Sequence, residues 1–176
     1  MSSLNEIAQQ LNTNREPIML IYAFNSTGKT KLSVEYKNIT KTKDNKHTGV
    51  YFNAYSEDLF VWDNDEEHNN ANIKLNIIHS SLNQFHSFLV ENNDLLKEKL
   101  APYNPKYCFM FNSHDNPEQG IESISFYLEE GGQPIKISRG EERIFVWCFF
   151  LALFEVDGWA DEQNAHFFID DPVSSF

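Results

Sequence analysis

An apolar run that leads into Gly28-Lys29-Thr30 constrains the fold of this 176-residue chain more than any other stretch. The run covers residues 18–21, and an amphipathic segment starts at Lys31. This pattern predicts a buried strand over residues 18–22, a tight loop and then a helix. The first N–H groups of a helix have no partner within it, and the helix dipole favours an anion there. The stretch therefore predicts a phosphate-binding loop.

Six consecutive residues of this loop are candidates for contacts with a bound phosphate: Asn25, Ser26, Thr27, Gly28, Lys29 and Thr30. Lys29 supplies a full positive charge, and the Thr30 hydroxyl is a candidate Mg²⁺ ligand. The usual pattern G-x-x-x-x-G-K-[ST] is met at its last three positions, whereas Ala23 stands at its first glycine. The alternative interpretation is a polar turn before a surface helix.

Composition predicts one folded domain with a substantial core, since 41% of the residues are hydrophobic and 15 are phenylalanine. The longest purely apolar run, residues 144–154, reaches about half of a membrane span, and no basic-then-apolar leader opens the chain. We therefore expect no membrane segment, no signal peptide and a cytoplasmic location. Cys108 and Cys148 lie in hydrophobic runs without metal-ligand spacing, which predicts buried free thiols.

The formal net charge of −12 argues against nucleic acid or an acidic membrane as the main partner. A local concentration of lysines nevertheless surrounds the predicted phosphate loop and its helix. It comprises Lys29, Lys31, Lys37, Lys41, Lys43 and Lys46. A phosphate-rich ligand accounts for it, and a solvated helix face is the alternative for every member except Lys29.

The order of patterns along the chain predicts an α/β domain with a helical insertion. A helix is predicted over residues 2–12, with Ser2 or Ser3 as its N-cap and Glu6 in the third position after Ser3. The region 73–100 keeps a helical period with a break near Asn92, which predicts two helices in a small helical subdomain. Residues 50–54 and 59–62 are predicted to form two strands, or a strand and a bend. Further strands are predicted over residues 107–111, 121–129 and 135–137, the last two joined by a hairpin turn at Gly131-Gly132.

Two polar clusters receive structural interpretations. Residues 63–72 are rich in acidic residues and asparagine but lack the glycine and terminal glutamate of a calcium loop, so we expect a solvated linker. His79 and His86 stand two helical turns apart on the apolar stripe, too far to share a metal ion, so we expect them at the boundary of the core.

A second motif stands before the apolar run 144–154, whose length favours a helix. Ser138 can cap that helix, with Glu141 in the third position after it, as a capping box. The functional alternative is that Ser138 and Gly140 offer a hydroxyl and free N–H groups to a phosphate, which would make the helix start a second anion site.

A third motif is the apolar strand predicted over residues 166–169, which ends in Asp170 and Asp171. In an open α/β sheet, ligands bind at the carboxyl ends of the strands. Asp170 is the candidate to hold Mg²⁺, and Asp171 is the candidate catalytic residue, which would face the terminal phosphate and polarise the attacking water. An acidic turn at a strand end is the alternative.

Taken in this order, the motifs resemble those of ATP-binding-cassette (ABC) ATPases. Residues 138–141 look like the signature motif, residues 170–172 like the end of the Walker B strand, and residues 173–176 like the start of the D-loop, with a Q-loop region at 52–58. The Asp-Asp-Pro-x-Ser-Ser form is most similar to the ATPase part of bacterial anticodon nucleases and of related anti-phage or DNA-repair ATPases of the SMC-like branch.

The resemblance implies a P-loop NTPase fold of the ABC head type, with residues 1–176 as a single domain. It implies a mixed sheet with flanking helices, the helical insertion at about 73–100, and ATP and Mg²⁺ as cofactors. The ATP would lie between two heads, with the phosphate loop of one facing the signature motif of the other. The expected partners are therefore a second copy of the chain or an effector protein.

The chain departs from the family pattern at several positions. Ala23 and Ser26 stand where glycines are usual, and Asp171 stands where most cassette ATPases have glutamate. The sequence also stops at Phe176, before the D-loop aspartate and any switch histidine, so we expect either a minimal head or part of a longer product.

The leading hypothesis is an ATP-binding and ATP-hydrolysing head that dimerises around nucleotide and regulates a defence or repair effector. The alternative, from a different class, is a non-hydrolysing module whose contacts with other proteins depend on nucleotide. A third is an acidic binding protein without a nucleotide function.

Overall fold

The computed structural model describes residues 3–24, 27–41, 43, 49–52, 56, 58–80, 82–155 and 166–170. Its α-helices are α1 (Leu4–Thr13), α2 (Lys29–Ile39), α3 (Asn83–Glu91), α4 (Asn93–Leu100) and α5 (Arg139–Phe154). Its strands are β1 (Gly49–Phe52), β2 (Phe60–Asp63), β3 (Lys74–Ile77), β4 (Cys108–Ser113), β5 (Ile121–Tyr127) and β6 (His166–Ile169). This order is mixed α/β, as the sequence predicts.

The described strands form two sheets rather than one mixed sheet. β1 and β6 pair in parallel, with Phe52 opposite Ile169. The other four strands form an antiparallel sheet in the order β2-β3-β5-β4. The parallel and antiparallel strands predicted for one sheet are thus divided between two.

The β1–β6 sheet is covered by aromatic side chains on both faces. On one face, Trp147 of α5 stacks on Phe167 with ring centroids 5.7 Å apart. On the other face, Phe168 lies 6.0 Å from the ring of Tyr36 in α2 and stacks on Tyr51 at 5.8 Å. Because Phe167 and Phe168 are each half-buried, on opposite faces of the sheet, the sequence of β6 has consecutive rather than alternating apolar residues.

Helix α5 is the centre of the hydrophobic core. Phe145 packs edge-on against Phe126 of β5 at 4.9 Å, and Phe149 packs against Phe60 of β2 at 5.5 Å, so the helix covers one face of the antiparallel sheet. Its other side contacts β1 and β6 through Trp147. The helix predicted over the apolar run 144–154 is confirmed, and seven of its residues are buried.

The strand predicted over residues 18–22 is wrong in the structure. The segment is irregular, and the exposed fractions of Ile18, Leu20 and Tyr22 are 86%, 93% and 85%. An apolar run becomes a buried strand only if a neighbouring strand and a packed face are supplied. In the part of the chain that the structure describes, β1 and β6 pair only with each other, so the run stays at the surface.

The helical insertion predicted at about 73–100 is partly wrong. Residues 74–77 form β3, which pairs with β2 and β5, and the helices begin only at Asn83. Leu75 and Ile77 are buried on alternate positions, which is the period of a strand. The predicted break near Asn92 is confirmed, since α3 ends and α4 begins there.

The predictions for the acidic segment 63–72 and for the two histidines have different outcomes. Asp65 accepts hydrogen bonds from the backbone and side-chain amides of Asn72, so the acidic connection is a surface turn held by its own side chains. His79 is exposed, whereas His86 is 1% exposed and belongs to the core, so the boundary position predicted for His86 is wrong.

Of the thiols, Cys148 is buried as predicted and Cys108 is half-buried. No described helix combines the length and apolar character that a membrane crossing requires.

Candidate functional site

The start of α2 has the backbone form of an anion site. Gly28 precedes the helix with φ of +99°, a left-handed conformation that glycine adopts without strain. No side chain caps the helix, unlike the serine caps of α1 and α5. Before it, Thr27 closes a turn by donating from its hydroxyl to the carbonyl of Phe24 at 2.6 Å. Gly28, as the N-cap residue, has no side chain to offer to the first N–H groups of α2.

The structure brings the two predicted Mg²⁺ ligands together. Thr30 Oγ1, in the first turn of α2, donates a hydrogen bond to Asp170 Oδ2 at 3.3 Å. The Asp170 N–H donates to the Phe52 carbonyl at 2.8 Å, which extends the β1–β6 ladder by one residue. The carboxyl end of the parallel sheet thus meets the start of the helix that follows the predicted phosphate loop.

Aromatic contacts fix α2 in this position. The ring of Tyr36, two turns beyond the loop, lies 4.7 Å from His166 at the start of β6. The Tyr51 hydroxyl is 2.9 Å from His166 Nε2. Burial raises the pKa of Tyr36 and of Tyr51, so both hydroxyls remain protonated. These residues hold the helix and the strand that carry Thr30 and Asp170, and the motif patterns gave no signal for them.

The remaining loop candidates fall into two groups. Lys29 is the first residue of α2 and is partly buried, and Thr27 and Gly28 immediately precede it. Asn25, Ser26 and the candidate catalytic residue Asp171 lie outside the described residues. The D-loop positions 173–176 and most of the predicted Q-loop region lie outside them as well.

Ser138 forms the capping box that the sequence predicts. Its hydroxyl accepts from the Glu141 N–H at 3.3 Å, and its own N–H donates to Glu141 Oε2 at 2.9 Å. Two hydrogen bonds to its carboxylate lower the pKa of Glu141. The larger effect comes from the Ser138 hydroxyl and the smaller one from the Ser138 N–H. These described hydrogen bonds of Ser138 stay within its own helix cap.

Gly140 lies in the exposed first turn of α5. A Cβ added there would meet nothing within 4 Å. Packing among the described residues therefore does not require glycine at this position, and close approach of a group from another molecule would be a reason for it.

A contact that the motif patterns do not indicate holds the first turn of α5. Trp62 Nε1, on β2, donates to Glu142 Oε2 at 2.8 Å. Lys136 lies over the Trp62 ring, 5.3 Å from its centroid, and donates to Asn64 at 2.9 Å. The antiparallel sheet thereby sets the direction in which the Ser138 end of the helix points.

The donor set at Thr30 and Asp170 fits Mg²⁺ bound with a nucleotide. A hydroxyl and a carboxylate are hard oxygen ligands, which Mg²⁺ prefers, and Mg²⁺ commonly takes one or two protein ligands with phosphate oxygens and water. Among the described residues, no group of three or more His, Cys, Asp or Glu could hold a metal ion by itself. A metal at this position would therefore depend on oxygens from a ligand.

Comparison with known proteins adds one relation. The chain is similar to an anticodon nuclease. The relative is from Escherichia coli and is 32% identical over an alignment of 222 positions, gaps included, which covers 98% of this chain and 55% of the relative. The chain thus spans about half the length of the curated relative that it matches. No protein-family model matches the chain, and no solved structure matches it.

The similarity supports the relation to anticodon nucleases that the three motifs indicate. It covers nearly the whole chain rather than the motifs alone.

Proposed function

We propose that this chain is an ATP-binding and ATP-hydrolysing head of the ABC type. The observation that carries the proposal is the hydrogen bond between Thr30 and Asp170, because it joins the phosphate-loop motif to the acidic strand-end motif. If the two motifs were only a polar turn and an unrelated acidic turn, no contact between them would be expected.

In this proposal the β- and γ-phosphates of ATP bind to the N–H groups at the start of α2 and to Lys29. Thr30 and Asp170 would hold Mg²⁺, which would supply positive charge to stabilise the transfer of the γ-phosphoryl group to water. Asp171 follows Asp170 directly and would orient the attacking water.

The head is further proposed to dimerise around nucleotide, either with a second copy or with a related head. The start of α5 would meet the γ-phosphate held by the partner head. Two observations support this step: the open space around Gly140 and the direction that Trp62 gives to the helix end.

We propose that the nucleotide cycle controls a defence or repair effector. The support is the similarity to a protein named an anticodon nuclease, together with the resemblance of the motifs to the ATPase part of such proteins. The net charge of −12 disfavours the binding of nucleic acid by this chain itself, because affinity for the phosphate backbone is mostly electrostatic. A non-hydrolysing, nucleotide-dependent interaction module is the alternative, and turnover measured beside affinity separates the two.

The proposed site is tested by calorimetric titration of the chain with Mg-ATP. Lys29→Ala should weaken binding by about 2 kcal/mol, roughly 30-fold, because a charge-assisted contact with phosphate is lost. Lys43→Ala is the matched control, since Lys43 is an exposed lysine of the same lysine-rich region and lies beyond α2. Equal affinity of the wild type and Lys29→Ala would reject the phosphate-loop assignment.

A further inference from the structure

A groove between α1 and α2 adjoins the Thr30–Asp170 site. It is lined by Leu4, Thr30, Lys31, Val34 and Glu35, is mainly apolar, and has a volume of about 250 Å³. Leu4 opens α1, and its methyl groups lie 3.9 Å from where a Gly28 Cβ would stand. The groove therefore begins at the predicted phosphate loop and extends along the first turns of α2.

The spacing of the lining residues places them on one side of α2. Thr30 and Val34 are four positions apart, as are Lys31 and Glu35, so each pair is adjacent across one helical turn. A turn advances about 5.4 Å along the axis, so Val34 and Glu35 lie one turn further from the predicted phosphate loop than Thr30 and Lys31 do. Thr30 is common to the groove and to the proposed metal site.

Val34 stands out because the described fold leaves it exposed. It is 51% exposed, whereas Leu32 and Tyr36 on the same helix are 6% and 8% exposed and pack against α1 and β6. Val34 does not contribute to the buried core of α2, yet it lines an apolar groove beside a polar site. This combination is typical of a ligand site, in which apolar walls surround a few polar groups.

We propose that this groove binds the nucleoside part of the nucleotide, with the base against Leu4 and Val34. The inference rests on the proposed function, because it takes the phosphate groups to lie at Thr30 and Lys29. Glu35 offers only acceptor atoms, so it suits a sugar hydroxyl or a base amino group. The groove makes the site selective for a nucleotide over inorganic triphosphate.

The test compares two ligands, Mg-ATP and Mg-tripolyphosphate, by calorimetry on the full chain. In the wild type, ATP should bind more tightly than tripolyphosphate, because the nucleoside adds apolar contact. Val34→Gln should weaken ATP binding about fivefold to tenfold, from loss of a buried aliphatic contact, and change tripolyphosphate binding less than twofold. Val61→Gln is the matched control, since Val61 is 48% exposed and lies on β2, away from the groove.

The failures of the two proposals are distinguishable. If the wild type binds neither ligand, the phosphate site is rejected, and the groove assignment is rejected with it. If the wild type binds tripolyphosphate and ATP equally well, or if Val34→Gln weakens ATP no more than Val61→Gln does, the groove assignment fails while the phosphate site stands. If Val34→Gln weakens both ligands equally, the groove contacts phosphate rather than nucleoside, and the assignment is overturned.

Discussion

Thr30 Oγ1 lies 3.3 Å from Asp170 Oδ2, although 140 positions separate the two residues in sequence. The contact joins the first turn of α2 to the carboxyl end of the β1–β6 sheet. It exists because aromatic packing holds α2 on the sheet: Tyr36 contacts both His166 and Phe168 of β6. The site thus depends on the hydrophobic face of α2 as much as on its polar end.

The first prediction separates capping by Ser138 from assembly. Ser138→Ala should cost about 1 kcal/mol of unfolding free energy, because the hydroxyl caps α5. Ser138→Arg should leave ATP affinity of the monomer nearly intact but abolish an ATP-dependent shift to dimer in light scattering. If the wild type shows no such shift at tens of micromolar chain, the sandwich of two heads is contradicted.

The second prediction concerns hydrolysis. Asp171→Asn should lose a factor on the order of 10² in ATPase rate while still binding ATP, because a positioned base contributes that much. Aspartate is one methylene shorter than the glutamate usual in the family, so the wild-type turnover should be slow. Equal rates for the wild type and Asp171→Asn, with ATP binding lost only in Lys29→Ala, would favour the non-hydrolysing module.

The third prediction tests the exposed apolar segment. Leu20→Gln should change the unfolding free energy by less than about 0.5 kcal/mol, because Leu20 is 93% exposed. Leu75→Gln, at a leucine on β3 with no exposure, should cost about 3 kcal/mol or more. Denaturant titrations of both variants measure this difference. Similar losses would mean that residues 18–22 form the buried strand that the sequence predicts.

The fourth prediction is a pH dependence from His86. Burial, with smaller electrostatic contributions from His79 and His114, lowers its pKa from 6.5 to about 4. The folded chain therefore keeps His86 neutral, while the unfolded chain takes up a proton as the pH falls below about 6.5. Stability should fall between pH 6.5 and 4, by about 3 kcal/mol at most from this group.

The control for His86 is a variant that cannot titrate. His86→Leu removes the titrating group, and the Nδ1 atom that it deletes has no hydrogen-bond partner among the described residues. The stability of His86→Leu relative to the wild type should rise as the pH drops from 6.5 to 4 and level off below. A difference that does not depend on pH would contradict the buried neutral state.

Local signals in the sequence predicted much of the fold. The capping boxes at Ser3 and Ser138 and the helix break at Asn92 depend on residues a few positions apart, and all three are confirmed. The strand over residues 18–22 failed because an apolar pattern indicates burial but does not supply the strand that would pair with it. β3 was assigned to a helix because its alternation at Leu75 and Ile77 is short and runs directly into a helical period.

The residues of the candidate site likewise include some that local patterns predict and others that they do not. The motifs identified Thr30 and Asp170 separately, since each carries the residue type that Mg²⁺ needs. The residues that hold the surrounding elements, such as Tyr36 and Trp62, have no motif, because their contacts join positions far apart in sequence. Trp62 and Glu142, for example, are 80 positions apart, and only the folded chain shows that they meet.

The most direct test of the account is the dependence of ATP binding on Mg²⁺. Binding is titrated with Mg²⁺ and with a chelator, in the wild type, Thr30→Val, Asp170→Asn and the double variant. Mg²⁺ should tighten ATP binding to the wild type about tenfold or more, and each single variant should lose most of that gain. The double variant should lose little beyond either single one, because the two residues share one ion. An unchanged Mg²⁺ effect in both single variants would contradict the account.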